Sequence, residues 1–317
     1  MSWREGRTGP YRIAAVDLTA KVFALIVCGG AFSVLAAQTT VPSATSEPVS
    51  VRSAGLNGAA AALVGDAGAV FSNPAALATL RHIGLEGAYR RLPGAGSVLN
   101  GAAAVRIRQF HLALGGALLD HGTDPANFPV GGLPPGTEFK ERMGSGSLVY
   151  RFGIIALGGT VKYVRTTVDT VQERAVSGDA GIAIAIFDIL AFGFSIQNLG
   201  GNWRGDSGLD MPRLSRFGFT MNYVDPQESF RLLSTLELQW PEGRSSRFVL
   251  GVEGGVVLEG VGIIGRGAYG SRPEGTEASK FTVGGSVAVT RLSLDYAYQP
   301  RDARGDRVHR FGLRLTL

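Results

Sequence analysis

Val308-His309-Arg310-Phe311-Gly312-Leu313-Arg314-Leu315-Thr316-Leu317 closes the chain, and its alternation decides the fold. Phe311, Leu313, Leu315 and Leu317 take one set of alternate positions; Arg310, Gly312, Arg314 and Thr316 take the other. Successive side chains of a strand point to opposite faces, so this segment has one oily face and one wet face. It stops on its last apolar residue. A closing strand that carries charge on one face only suits a membrane β-barrel, with lipid outside and a polar lumen inside.

The same alternation recurs upstream. Phe217, Phe219, Met221 and Tyr223 oppose Arg216, Gly218, Thr220 and Asn222; Leu236, Leu238 and Trp240 oppose Thr235, Glu237 and Gln239; Leu292, Leu294, Tyr296 and Tyr298 oppose Arg291, Ser293, Asp295 and Gln299. Periodicity predicts strands over 82–91, 98–108, 109–119, 140–152, 153–165, 173–187, 189–198, 213–223, 230–240, 245–258, 261–270, 279–289, 290–299 and 306–317, about fourteen in all. A soluble sandwich would alternate too. Two features favour the barrel. Tight links near 108, 152, 188, 259 and 289 take turns with longer ones at 120–139, 166–172, 199–212, 271–278 and 300–305, the rhythm of short periplasmic turns and long external loops. Aromatic residues (Tyr89, Tyr150, Phe152, Tyr163, Trp240, Tyr298) gather near strand ends, as interfacial girdles do.

Composition agrees. Of 317 residues, 45% are hydrophobic and only 18% charged, with mean hydropathy +0.14. Yet no stretch beyond the N-terminus approaches the roughly 20 continuous apolar residues of a spanning helix. Alternating strands spread apolar residues in that way. Glycine, at 46 residues, is about twice its usual abundance. Pairs such as Gly115-Gly116 and Gly254-Gly255 lack the strand-turn-helix setting of a phosphate loop and read as bent or flexible strand positions.

Residues 1–37 read as a signal peptide: Arg4, Arg7, Arg12 and Lys21 precede an apolar run from Val22 to Ala37, with Ala36-Ala37 offering small residues for cleavage. Its removal leaves 27 basic and 24 acidic residues, a net +3 with no basic cluster on one element, which gives no case for nucleic acid. It also takes away Cys28, the only cysteine, and with it any disulfide, thiolate metal site or cysteine nucleophile. Residues 38–50 are a polar Ser/Thr/Pro linker. Residues 51–81 are small, Gly/Ala-rich and not alternating, and read as a compact plug. Asn73 is a good N-cap and Pro74 a natural first helical residue, which predicts a short helix over Ala75 to Leu80. With an even strand number, both ends of the barrel domain 82–317 lie on the periplasmic side. The Pro/Gly-rich loop 120–139 is then the longest external one, placed to fold over the mouth.

Asp66-Ala67, Val70-Phe71 and Asn73-Pro74-Ala75 resemble the N-terminal hatch of the FadL-like outer-membrane transporters, and more closely that of the PorV/PorQ family. Ser195-Ile196-Gln197-Asn198-Leu199-Gly200 with Met211-Pro212-Arg213, and Leu294-Asp295-Tyr296-Ala297-Tyr298 with His309-Arg310-Phe311, extend the resemblance over nearly the whole mature chain. It departs at Gly65-Asp66, where members often show two adjacent acids, and at Leu317, where they usually end in an aromatic residue. The resemblance implies a fourteen-stranded barrel with its N-terminal segment inside, inserted by the barrel-assembly machinery through the last strand. It also implies one of two jobs. One is passive passage of a hydrophobic, fatty-acid-like molecule gated by Asp66, Phe71, Asn73, Pro74 and Ala75; the other is a type IX secretion-associated or scaffold role, binding proteins through loops 120–139 and 199–212, while Asn198, Leu199 and Gly200 form the family-motif loop. Transport by a lone barrel in outer-membrane lipid is the preferred expectation.

The chemistry-bearing residues suggest no enzyme. His82, His111, His121 and His309 show no metal-ligand spacing, and no cofactor is implied. His121-Gly122-Thr123-Asp124 is the only local candidate for a lipid-hydrolysing rim and reads better as a polar loop start. Lys162, Arg216, Glu237, Glu253, Arg266, Asp295, Arg310 and Arg314 should point inward, since Arg facing lipid at the midplane costs roughly 2–4 kcal/mol. Their mixed signs predict a paired network bracing the N-terminal segment rather than a selective pore.

Overall fold

The computed structural model describes residues 49–317 apart from 93–94, 125–126, 129–132, 187–188, 201–208, 210, 224–228, 273–276 and 303–304. The readings of 1–37 as a signal peptide and of most of the 38–50 linker therefore lie outside the described residues.

Fourteen antiparallel strands form a closed barrel, each paired to its neighbour in sequence and the last to the first. They are β1 (Ile83–Arg91), β2 (Ser97–Ile107), β3 (Phe110–Asp120), β4 (Phe139–Phe152), β5 (Ile155–Val168), β6 (Val171–Ile186), β7 (Leu190–Leu199), β8 (Leu214–Asn222), β9 (Phe230–Pro241), β10 (Arg247–Leu258), β11 (Val261–Gly270), β12 (Phe281–Val289), β13 (Leu292–Gln299) and β14 (Val308–Thr316). The strands expected from periodicity are all present, in order. Closure runs from Gly84↔Thr316 to Arg90↔Arg310, and the Leu317 amide donates to the Ile83 carbonyl at 2.8 Å. The ladder is thus continuous around the ring apart from a bulge in β6, which is why a barrel has no sheet edge to protect.

The alternation sorts the side chains as barrel strands must. Outward positions carry large apolar residues, Leu114 at 70% and Leu294 at 60% exposure among them. Inward positions are small, polar or charged. No helix among the described residues is long and apolar enough to cross a membrane.

One end carries the tight connections. Glu259 and Gly260, between β10 and β11, both have positive φ (50° and 82°), as a primed two-residue hairpin turn requires. The longer connections lie at the other end, except for the seven residues 223–229 between β8 and β9, and with one correction. The expected loop at 166–172 is a two-residue turn, because β5 runs on to Val168 and β6 starts at Val171. Thr166 and Thr167 are good strand formers, and Asp169 tolerates the positive φ (50°) that the turn needs. At this end Arg213 also donates to Glu242 at 2.7 Å, holding the carboxyl below its ordinary pKa.

Before β1 lie a five-residue helix α1 (Val51–Gly55) and two 3-10 turns, Ala67–Phe71 and Pro74–Thr79. The second is the short helix expected after Asn73, wound tighter than α. Asn73 caps it, accepting from the Ala75 amide at 3.1 Å. A single short turn gains little from the α pattern, and 3-10 geometry suits such pieces.

Candidate functional site

Between residues 51 and 80 only Arg52 and Asp66 are charged, and both are buried. Arg52 donates to Asp66 at 2.8 Å and to both carboxylate oxygens of Glu253 on β10 at 2.9 and 3.0 Å. Glu253 also meets Arg231 on β9 at 2.9 Å and Arg266 on β11 at 3.3 Å. Asp66 is paired with Arg314 on β14, which reaches Asp295 on β13 at 3.3 Å. Ser286 on β12 bonds both Arg266 and Asp295. Four arginines and three carboxylates pair with one another here, so the cluster fixes the N-terminal segment against β9–β14. Such a buried network adds little net stability but penalises any position in which a charge is left alone.

A second set of bonds continues along β7–β9. Glu237 on β9 accepts from the Ala60 and Ala61 amides at 2.6 and 2.7 Å and pairs with Arg216 on β8 at 2.8 Å. Arg216 in turn donates to the Gly58 carbonyl at 3.0 Å. Gln197 and Ser195 on β7 donate to the carbonyls of Phe71 and Ser72 at 2.7 and 2.9 Å. These strand side chains supply partners that the irregular backbone of 57–73 would otherwise lack.

Glycine lets that backbone come so close. Gly158 is paired with Gly181, and Gly193 with Gly218, across β5–β8. A Cβ at Gly158 would lie 2.8 Å from the Ala75 nitrogen; one at Gly193 would overlap the Ala61 carbonyl oxygen, and one at Gly181 the Asn73 side chain. Gly115, read from sequence as a bent or flexible position, is instead the floor on which the Phe71 ring rests, 2.7 Å from where a Cβ would sit. A Cβ at Gly255 would press on the backbone of Ile263 and Ile264 on the neighbouring strand.

Opposite the largest charge network, the inner wall carries an apolar row between polar ones. Ala117, Met143, Val164 and Ala175 form one continuous cross-strand row over β3–β6, and all four are buried. Val98 and Leu119 are paired in the next row toward the loops. Leu209 and Met211, from the connection after β7, are 1% and 2% exposed and pack on this surface. Phe71 touches both this cluster and the apolar cluster of the N-terminal segment. The lumen thus carries its largest charge network along β8–β14, and on β3–β6 a single apolar row flanked by the polar rows of Glu141 and Thr166 above and Ser145, Lys162 and Ser177 below.

The residues singled out from sequence fall as follows. Arg216, Glu237, Glu253, Arg266, Asp295 and Arg314 face inward and meet the N-terminal segment or each other. Lys162 lies apart, paired with Asp179 at 2.7 Å. Arg310 is buried beside Gln299. Asn198, at φ 61°, takes the Asp179 carboxylate on its amide at 2.9 Å and donates to the Pro212 carbonyl at 3.0 Å. It thereby ties the β7–β8 connection to the bulge between Gly178 and Ala180. Leu199 is half-buried and Gly200 exposed. His121 is buried, its ring nitrogens taken by the Asn127 carbonyl at 2.8 Å and Glu141 at 3.1 Å, with Phe139 edge-on. It braces the base of its loop. No metal-ligand cluster occurs among the described residues.

Sequence reasoning missed Arg52 and the apolar row. The signal for Arg52 was its isolation in a segment of small residues. The apolar row had no such signal, because inward Met143 and Val164 look like outward residues until register is known.

No protein-family model and no curated protein matches the chain. Solved structures do. The chain is similar to the toluene transporter TbuX of Ralstonia pickettii (TM-score 0.57, 13% identity, covering 85% of this chain and 98% of that one). It is similar to the monoaromatic hydrocarbon channel CymD (TM-score 0.60, 11% identity, 85% and 97%) and to a FadL homologue of Pseudomonas aeruginosa (TM-score 0.55, 14% identity, 88% and 99%). At these identities the likeness establishes the fold alone, a closed fourteen-stranded antiparallel barrel.

Proposed function

We propose that the protein is an outer-membrane channel for passive passage of hydrophobic small molecules, with residues 51–81 as its plug. The observation that carries this is the buried apolar row Ala117–Met143–Val164–Ala175, roofed by Leu209 and Met211 and reaching Phe71. A polar solute gains nothing from such a wall, whereas an apolar one exchanges water for hydrocarbon along it. The similar structures are a toluene transporter and a monoaromatic hydrocarbon channel, which agrees in substrate class. In this reading the longer connections face outward, both ends of the barrel domain face the periplasm, and the molecule moves from the mouth along the row to Phe71. There the plug must shift for it to leave. No nucleotide site or cofactor takes part. The PorV/PorQ likeness and the secretion role draw no support from these similarities.

Uptake of labelled toluene and of oleate by a host lacking its own hydrophobic channel tests the proposal. A carboxylate in the row, Met143→Glu or Val164→Asp, is expected to lower uptake roughly tenfold or more, since it replaces the row's hydrocarbon with a charge. Unchanged uptake in correctly inserted variants removes the proposed route.

A further inference from the structure

The outer wall carries one feature at odds with its oily surroundings. Arg142 on β4 is paired in register with Arg165 on β5, and Arg165 with Arg174 on β6. The three lie side by side, roughly 5 Å from strand to strand. They alternate with the buried Met143, Val164 and Ala175, so they point outward. Like charges set directly opposite one another in a sheet repel. Among the described residues none of the three is ion-paired. Arg165 leans on the Tyr163 ring and hydroxyl, and Arg174 donates to Gln172 at 3.4 Å.

Their height is informative. Toward the tight-turn end the outward surface is apolar, from Tyr163 through Leu114 and Leu148 to the aromatic pair Phe110 and Tyr150. Arg142 and Tyr150 share β4 and stand roughly 27 Å apart along it, or roughly 20 Å along the normal at a typical strand tilt. The arginines thus sit at the upper edge of an apolar band of the usual ~25 Å height, where Arg is tolerated, and not in its middle. Just below them Gly116 and Gly144 are paired. A Cβ on Gly144 would meet nothing within 4 Å, so the wall there is a shallow, bare strip.

We infer that this is a binding site for an acylated lipid bearing phosphate esters in its headgroup. The phosphate would bridge Arg142, Arg165 and Arg174, and an acyl chain would lie along the Gly116–Gly144 strip. The guanidinium fork matches phosphate oxygens two at a time, and a dianionic headgroup relieves the repulsion that the triad otherwise carries. The site also assigns the longer connections to the leaflet that holds such a lipid. It lies on the outer wall and is independent of the passage proposed above.

Native mass spectrometry of the detergent-purified protein with added bisphosphorylated lipid A, against phosphatidylcholine, tests this. The wild type is expected to retain lipid A selectively. Arg142→Gln/Arg165→Gln/Arg174→Gln is expected to bind it roughly a hundredfold more weakly, with graded losses in the single variants should the triple variant fail to fold. Arg106→Gln/Arg108→Gln/Arg291→Gln removes equal charge at the opposite end and should leave retention unchanged. Equal retention by wild type and triad variants, or equal loss in the control, overturns the site. Displacement of the lipid by millimolar inorganic phosphate overturns it as well, by reassigning the triad to a free anion. Toluene uptake should be the same in the triad variant and the wild type.

Discussion

Arg52 and Glu253, 201 positions apart, form a bidentate pair at 2.9 and 3.0 Å, and through it the N-terminal segment is bound to the barrel wall. Both are nearly inaccessible, at 3% and 1% side-chain exposure. Arg52→Met leaves Asp66 and Glu253 short of their central cation. Breaking a buried pair from one side costs about 3–5 kcal/mol, and Arg266 and Arg231 on Glu253 hold this case at the lower end. The expected result is faster proteolysis of the 49–81 segment in the inserted protein, while the barrel keeps its urea midpoint more nearly than the segment keeps its protection. A segment equally protected in both proteins would show that the pair is not its anchor.

Gly193→Ala places a methyl group where the Ala61 carbonyl lies. The backbone on both sides is hydrogen-bonded and cannot simply yield, so overpacking of about 1–3 kcal/mol is expected, and the 60–62 stretch should lift from the wall. Single-channel conductance in planar bilayers is expected to rise. Gly144→Ala, where a Cβ meets nothing, should conduct as wild type does.

Asn73 holds three partners at once: the Ala75 amide and the carbonyls of Ala61 and Ile182. Asn73→Ala forfeits a cap of about 1 kcal/mol and leaves the buried Ala61 carbonyl without that donor, a further penalty of about 1–3 kcal/mol. Pro74→Leu removes only the preset φ of the first helical position. Conductance should therefore rise more for Asn73→Ala than for Pro74→Leu. The reverse order would place the gating constraint in the turn and not in its bonds.

Leu209 is almost wholly buried on the apolar row, so Leu209→Ala is expected to cost about 2–5 kcal/mol locally. Hydrogen exchange should show the connection after β7 loosened, with the strands unchanged. Uptake of toluene is expected to change along with it, because the roof of the proposed path is then looser. Exchange and uptake that fail to move together would separate the roof from the path.

Glu242, held below its ordinary pKa by Arg213, contributes stability only while ionised. The contribution is whole above the ordinary carboxyl range and is lost as pH falls through the depressed value. The pair is 61% and 49% exposed, so the effect is expected to stay under about 1 kcal/mol. Urea midpoints of wild type and Glu242→Gln should differ slightly at pH 7 and converge in strong acid.

The barrel was legible because the strand is a local object. Phe311, Leu313 and Leu315 alternate with Arg310, Gly312 and Arg314 whatever lies beyond them, and that period sets both the element and which face is oily. The inward direction of Glu253 or Arg314 follows in the same way, from the expense of charge in lipid. Turn length was less legible: 166–172 read as a loop because Thr166 and Thr167 are polar, yet they are strand residues with one side chain turned inward.

By itself, then, the sequence determined the period, the number and order of the strands, and which side meets oil in those strands where apolar and charged residues alternate cleanly. Tertiary structure alone decided that Arg52 meets Glu253, that Gly193 yields its space to Ala61, and that Met143 and Val164 share one inner row while Arg142 and Arg165 share one outer row. The reason is register: a strand's period is written within a few residues, whereas which residue faces which across the wall depends on closing the whole ring. Slipping one pair by a single position would turn every side chain of that strand to the other face.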